Sequence, residues 1–166
     1  SDHGEVAGFV ALEVGMAPYE ILRRLSWSLE RVSGAVGVNN HEGSRFTSDA
    51  AALAPVMAVL KARGLFFFDS RTSAASRGQA AAKAAGVESV SRDMFLDDDQ
   101  REAAVTAQLS ALVAAAKRDG VAVAIGHPHA ATLRLVKKWL AQDHGVKLVT
   151  LQEAMRAKEN RTVAAN

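Results

Sequence analysis

The chain has 166 residues, 49% hydrophobic and 23% charged, the make-up of an ordinary globular protein with enough chain for one cored domain. Twenty basic against eighteen acidic residues leave a formal charge of +2, and the few basic groupings (Lys61 with Arg63, Lys117 with Arg118, Lys137 with Lys138) fall late in predicted helices, so no phosphate-tracking surface and no nucleic-acid partner is expected. The absence of cysteine excludes disulfides and thiolate chemistry, and no apolar run approaches the ~20 residues of a membrane span.

In chain order, residues 6–14 (VAGFVALEV) read as a strand and 18–32 as a helix with Ile21, Leu22, Leu25 and Leu29 on one stripe. Residues 35–38 (AVGV) form a buried strand that runs into the polar stretch GVNNHEGSRFT. A helix follows over 48–64, with Ser48 as N-cap, a kink at Pro55 and Gly64 as its stop. LFFFD (65–69) is the clearest strand, succeeded by a Ser/Thr/Arg-rich loop and an Ala-rich helix over 74–85. Residues 89–95 give a short strand and its exit loop, and 99–118 the longest helix. The β-branched run 121–125 ends abruptly at Gly126-His127-Pro128. Helix 131–143, strand 147–151, a helical turn and a frayed tail complete the chain. Continuous apolar strands alternating with helices predict an α/β fold with a mostly parallel sheet.

In such folds ligands lie at the carboxyl ends of the strands. There the sequence places His41, then Asp69-Ser70-Arg71, then Arg92-Asp93, then His127-Pro128-His129, and one shared rim is expected to gather them. Taken singly, each has a plainer reading. A histidine after a strand can be a loop hydrogen-bonder, Asp69 can cap a turn, and Asp97, Asp98 and Asp99 read as the acidic start of the next helix. His127 and His129 alternate, so an extended exit turns both imidazoles to one side, whereas a bend at Pro128 does not. Three imidazoles and a carboxylate on one rim suit zinc, which takes three protein ligands and keeps a fourth position open for catalysis. Ser70, Arg71, Thr72 and Ser73, before the predicted helix 74–85, also suit an anion site at a helix N-terminus.

The segments GVNNHEGSRFT, RGLFFFDSRTSAAS, SRDMFLDDD and AIGHPHAATLRLV, in this order, closely resemble the divergent polysaccharide deacetylases over residues 20–155. The resemblance implies a distorted or incomplete (β/α) barrel of mostly parallel strands that binds zinc or another divalent metal and a carbohydrate. Water on the metal would attack an N-acetyl carbonyl, with a carboxylate as base and a histidine protonating the leaving amine. Carried onto this sequence, it gives Asp69 and His127 catalytic roles, His41 and His129 metal ligation, and Asn40, Ser70, Arg71 and Asp93 substrate contacts. It also implies a periplasmic or otherwise exported setting.

Members of the family begin with a strand ending in paired aspartates and a glycine, then a strand bearing a histidine. Neither segment is found here, and Glu13 is what remains of the second. The expected organisation is therefore a single domain over 1–158 lacking its first βα units, with a tail at 159–166. Two functions follow. One is a metal-dependent deacetylase acting on a cell-envelope glycan, expected to be inactive as this chain alone. The other is a non-catalytic module binding glycan or protein. A barrel with a gap also invites closure by a second copy, so a homo-oligomer is expected.

Overall fold

The computed structural model describes residues 10–164. Its contacts divide the chain into two compact units, residues 1–91 and 92–166. In the first, α1 (Pro18–Leu29) starts on a proline, whose missing N–H costs nothing in a first turn, and buries Ile21 and Leu25 one turn apart on its inner face. Strand β1 (Gly37–Asn39) leads through a short helix, α2 (Ser44–Thr47), into α3 (Ala50–Arg63). The N-cap of α3 is Asp49, one residue beyond the expected Ser48, and its carboxylate accepts from Ala51 N at 2.8 Å and Ala52 N at 3.1 Å. The helix continues through Pro55 and ends where Gly64 turns left-handed at φ 66°.

Strand β2 (Phe66–Asp69), helix α4 (Gly78–Ala85) and strand β3 (Ser89–Ser91) complete this unit. The three strands form one parallel sheet in the order β1-β2-β3, with Phe67 opposite Val38 on one side and Ser89 on the other. Phe67, Leu53, Val56, Met57 and Leu60 pack between the sheet and its helices with Ile21, Leu25 and Ala82. Two glycines permit close approach. The Phe66 ring fills the space where Gly37 would carry a Cβ. A Cβ at Gly78 would lie 2.6 Å from Asp69 Oδ2 and 2.7 Å from the Phe67 ring. Gly78→Ala is therefore expected to lower stability by about 1–3 kcal/mol through overpacking, despite alanine's better helix propensity, and a thermal melt of the variant checks it.

In the second unit, strand β4 (Met94–Phe95) pairs in parallel with β5 (Ala124–Ile125). Helix α5 (Glu102–Asp119) turns Val105 and Leu109 inward against Leu96 and against Leu135, Val136 and Trp139 of α6 (Ala130–Leu140). Glu102 and Arg134 pair across these two helices, and Trp139 stacks on His144 with ring centroids 4.4 Å apart. Helix α7 (Leu151–Ala164) follows, so residues 159–164, expected as a tail, continue a helix.

The parallel α/β expectation holds. The described strands form two sheets, of three and two strands, and no closed barrel. Two expected strands are not found among the described residues. Residues 6–9 lie outside the described residues, and 10–14 form turns and coil, with no described strand paired to them. Residues 147–150 are coil with Leu148 and Val149 exposed, because an apolar run becomes a strand only when a neighbour supplies the ladder.

Candidate functional site

In the first unit, the loops leaving β1 and β2 are laced together. Asn39 Nδ2 donates to Phe68 O at 3.2 Å and to the Ser70 hydroxyl, and Ser70 N donates to Asn40 Oδ1 at 2.9 Å. The Thr72 hydroxyl donates to Glu42 O at 3.1 Å. Glu42 at φ 54° and Arg71 at φ 47° both hold left-handed backbone that side chains other than glycine seldom adopt, so each loop is kept off its local minimum by these ties. Asp69 is 2% exposed. It accepts from Arg71 N and from the Ser76 hydroxyl, both at 2.8 Å, and thereby fixes the loop 70–76. Since α4 starts at Gly78, residues 70–73 do not form its first turn, and the expected anion site at that helix start is not built.

Below the β1 exit lies a cavity of about 510 Å³ whose floor includes Val38, Phe46, Leu53 and Phe67 and whose rim includes Asn40 and His41. The buried Nδ2 of Asn40 meets no acceptor. Such orphans are rare in folded proteins, and they mark places where a partner group belongs.

In the second unit, two carboxylates bracket the short β4–β5 ladder. Asp93, ahead of β4, accepts from Val123 N at 2.7 Å and binds Lys158 Nζ of α7 through both oxygens at 2.7 Å. It thus anchors the second unit's helix and strand. Asp97, beyond β4, is 3% exposed. Its Oδ2 accepts from His127 N at 2.7 Å and from the Thr132 hydroxyl at 2.8 Å, and its Oδ1 lies 2.8 Å from His127 Nδ1. Burial pushes the Asp97 carboxyl up, but the hydrogen bonds from the His127 ring, the His127 backbone and Thr132 outweigh it and hold the group below its ordinary range. An ionised carboxylate only accepts, so the proton in the Asp97–His127 contact sits on Nδ1, and in the neutral imidazole the lone pair is then on Nε2.

His129 stands beside this pair, its ring centroid 5.8 Å from that of His127. His129 N donates to His127 O at 2.8 Å, so the chain bends at Pro128 and still brings both imidazoles to one side. The Phe95 ring flanks His127 at 5.8 Å and carries the Arg92 guanidinium 3.5 Å over its face. Ligand atoms of Asp97, His127 and His129 all lie within 4.8 Å of one another, a donor set suited to a metal ion. His41, expected among the ligands, belongs to no such group among the described residues. Asp97, read from the sequence as helix-start charge, is instead the buried centre of the cluster. The nearest signal was its place directly after the apolar Phe95-Leu96, ahead of the more exposed Asp98 and Asp99.

This alternation of parallel strands and helices, with a carboxylate–imidazole cluster at a strand exit, places the chain among α/β proteins with a candidate metal centre. Residues 2–155 match the divergent polysaccharide deacetylase family, and the chain belongs to it. It is 39% identical over 123 residues to the uncharacterized protein YibQ of Escherichia coli (strain K12), covering 74% of this chain and 39% of that protein. It is 37% identical over 129 residues to an uncharacterized protein of Haemophilus influenzae (strain ATCC 51907 / DSM 11121 / KW20 / Rd), covering 78% of this chain and 46% of the other. The crystal structure of uncharacterized protein ATU2773 from Agrobacterium tumefaciens C58 superposes with a TM-score of 0.79 at 31% identity, covering 82% of this chain and 56% of that one. The chain thus spans less than two thirds of each of these relatives.

Proposed function

We propose that the chain is part of an exported, zinc-dependent carbohydrate deacetylase that removes N-acetyl groups from a cell-envelope glycan. The Asp97–His127–His129 cluster carries this reading. His127 through Nε2 and His129 would hold the ion, while Asp97, whose oxygens already accept three hydrogen bonds, stands behind His127 and makes it a better ligand. What zinc supplies when bound is Lewis acidity toward a carbonyl and toward water. Within the first unit, Asn40, Ser70 and Arg71 are the candidates for contact with carbohydrate. Asp69, fixed under its loop, holds Arg71 N and the Ser76 hydroxyl, and with them the loop that carries these candidates.

Titration of the metal-free chain with zinc in a calorimeter tests the proposal. About one ion per chain is expected, with binding lost in the His129→Ala variant, and a flat titration would sink the metal reading. A second reading, glycan binding without turnover, is favoured by the 510 Å³ cavity beside Asn40 and His41. It expects an N-acetylated oligosaccharide to bind equally well with zinc or with a chelator.

A further inference from the structure

We infer that Thr132 is a positioning residue of this site: its hydroxyl locks the Asp97 carboxylate in the pose that keeps the His127 proton on Nδ1 and the lone pair on Nε2. The inference rests on the reading of His127 as the working imidazole, and it concerns how that ring is set.

Thr132 sits in the first turn of α6 and is 3% exposed. A helical threonine or serine usually returns its hydroxyl to a carbonyl one turn back, as Thr106 does to Glu102 O at 2.8 Å and Ser110 does to Thr106 O at 3.2 Å in α5. Thr132 instead sends its proton sideways to Asp97 Oδ2 at 2.8 Å. Its methyl group fixes that choice. A Cβ on Gly126 would lie 3.2 Å from Thr132 Cγ2 and 3.3 Å from Leu96 Cδ1, so methyl, glycine and leucine already fill this corner and the hydroxyl is left facing Asp97.

The Asp97 side chain is fully enclosed, and a carboxylate stays charged in such a place only if its oxygens are hydrogen-bonded. Oδ1 has the His127 ring and Oδ2 has the His127 backbone and Thr132. Without the hydroxyl, Oδ2 keeps a single donor, and the carboxylate is freer to rotate away from the His127 ring. Rotation removes the acceptor that selects the Nδ1–H tautomer, and His127 would then divide between its two neutral forms.

The test uses the full chain, ¹⁵N-labelled and metal-free, at about pH 8, above the usual imidazole range. In the parent protein the His127 ring nitrogens should give a protonated Nδ1 and a lone-pair Nε2 by long-range ¹H–¹⁵N correlation. Thr132→Val, of nearly the same shape, should shift both signals toward the tautomer average, and Thr132→Ser should restore them. Zinc affinity should fall about tenfold in Thr132→Val and recover in Thr132→Ser. A folded Thr132→Val with unchanged ring signals, or a parent protein with the proton on Nε2, overturns the inference. If the valine variant does not fold, Thr132→Ala takes its place, read by the same signals. A parent chain that binds no zinc, but whose tautomer responds as stated, would sink the metal reading and leave this inference standing.

Discussion

Phe67→Ala is expected to cost about 3–5 kcal/mol, the usual range for emptying an aromatic site in a packed core. Phe67 occupies the middle strand of the three-stranded sheet and is 2% exposed. Its ring edge already crowds Gly78 of α4, and α3 supplies Leu53 and Val56 to the same core. Three helices and two neighbouring strands hold this environment in place, so it collapses poorly into the hole, and that puts the loss at the high end for the chemistry. Phe68, whose side chain points to the other face of the sheet and is only partly buried, should lose less on the same change. Urea unfolding of the two variants gives both numbers. A loss below about 1 kcal/mol for Phe67→Ala would mean that the ring is not a core group.

The second large effect separates structure from chemistry within one pair. Asp97→Ala deprives the His127 N–H, the His127 ring and the Thr132 hydroxyl of their common acceptor. A buried donor left without a partner costs about 1–3 kcal/mol, so a total loss of about 3 kcal/mol or more is expected. His127→Ala removes a ring whose side chain is 34% exposed, and leaves Asp97 with the backbone N–H and Thr132, so its cost should be about 1 kcal/mol. Both variants should weaken zinc binding at least tenfold. Melting temperatures and zinc titrations on the same samples check the pattern, and equal melting losses would make His127 a structural imidazole.

Much of this was readable beforehand. The LFFFD run and the helices around it announce themselves through continuous apolar stretches and glycine stops, and the parallel arrangement follows from their alternation. His127 and His129 were visible because two imidazoles two residues apart after a β-branched run have few plain explanations. Asp97 was not, since three consecutive aspartates before a helix look alike in sequence, and only packing shows that the first is enclosed by Thr132 from 35 residues further on. Asp93 has two neighbours in the chain that sequence alone does not weigh. It follows β3, which suggested a strand exit, yet it also precedes β4, and there it ties Val123 and Lys158. Residues 147–150 carry the composition of a strand, but composition cannot supply the neighbour that a strand requires.

The spacing of the two bracketing carboxylates makes the small sheet self-indexing. Asp93 grips the backbone N–H of Val123, and Asp97 grips that of His127, so each reaches 30 residues ahead and the four-residue interval on one strand is copied on the other. A ladder of two residues a side has little power to choose its own alignment. With a peg at each end, sliding by one position would pull both carboxylates off their amides at once, and would carry the imidazole away from its acceptor in the same movement. The alignment of β4 with β5 and the aim of His127 are thus a single mechanical fact: this chain cannot misregister the sheet and still keep the site.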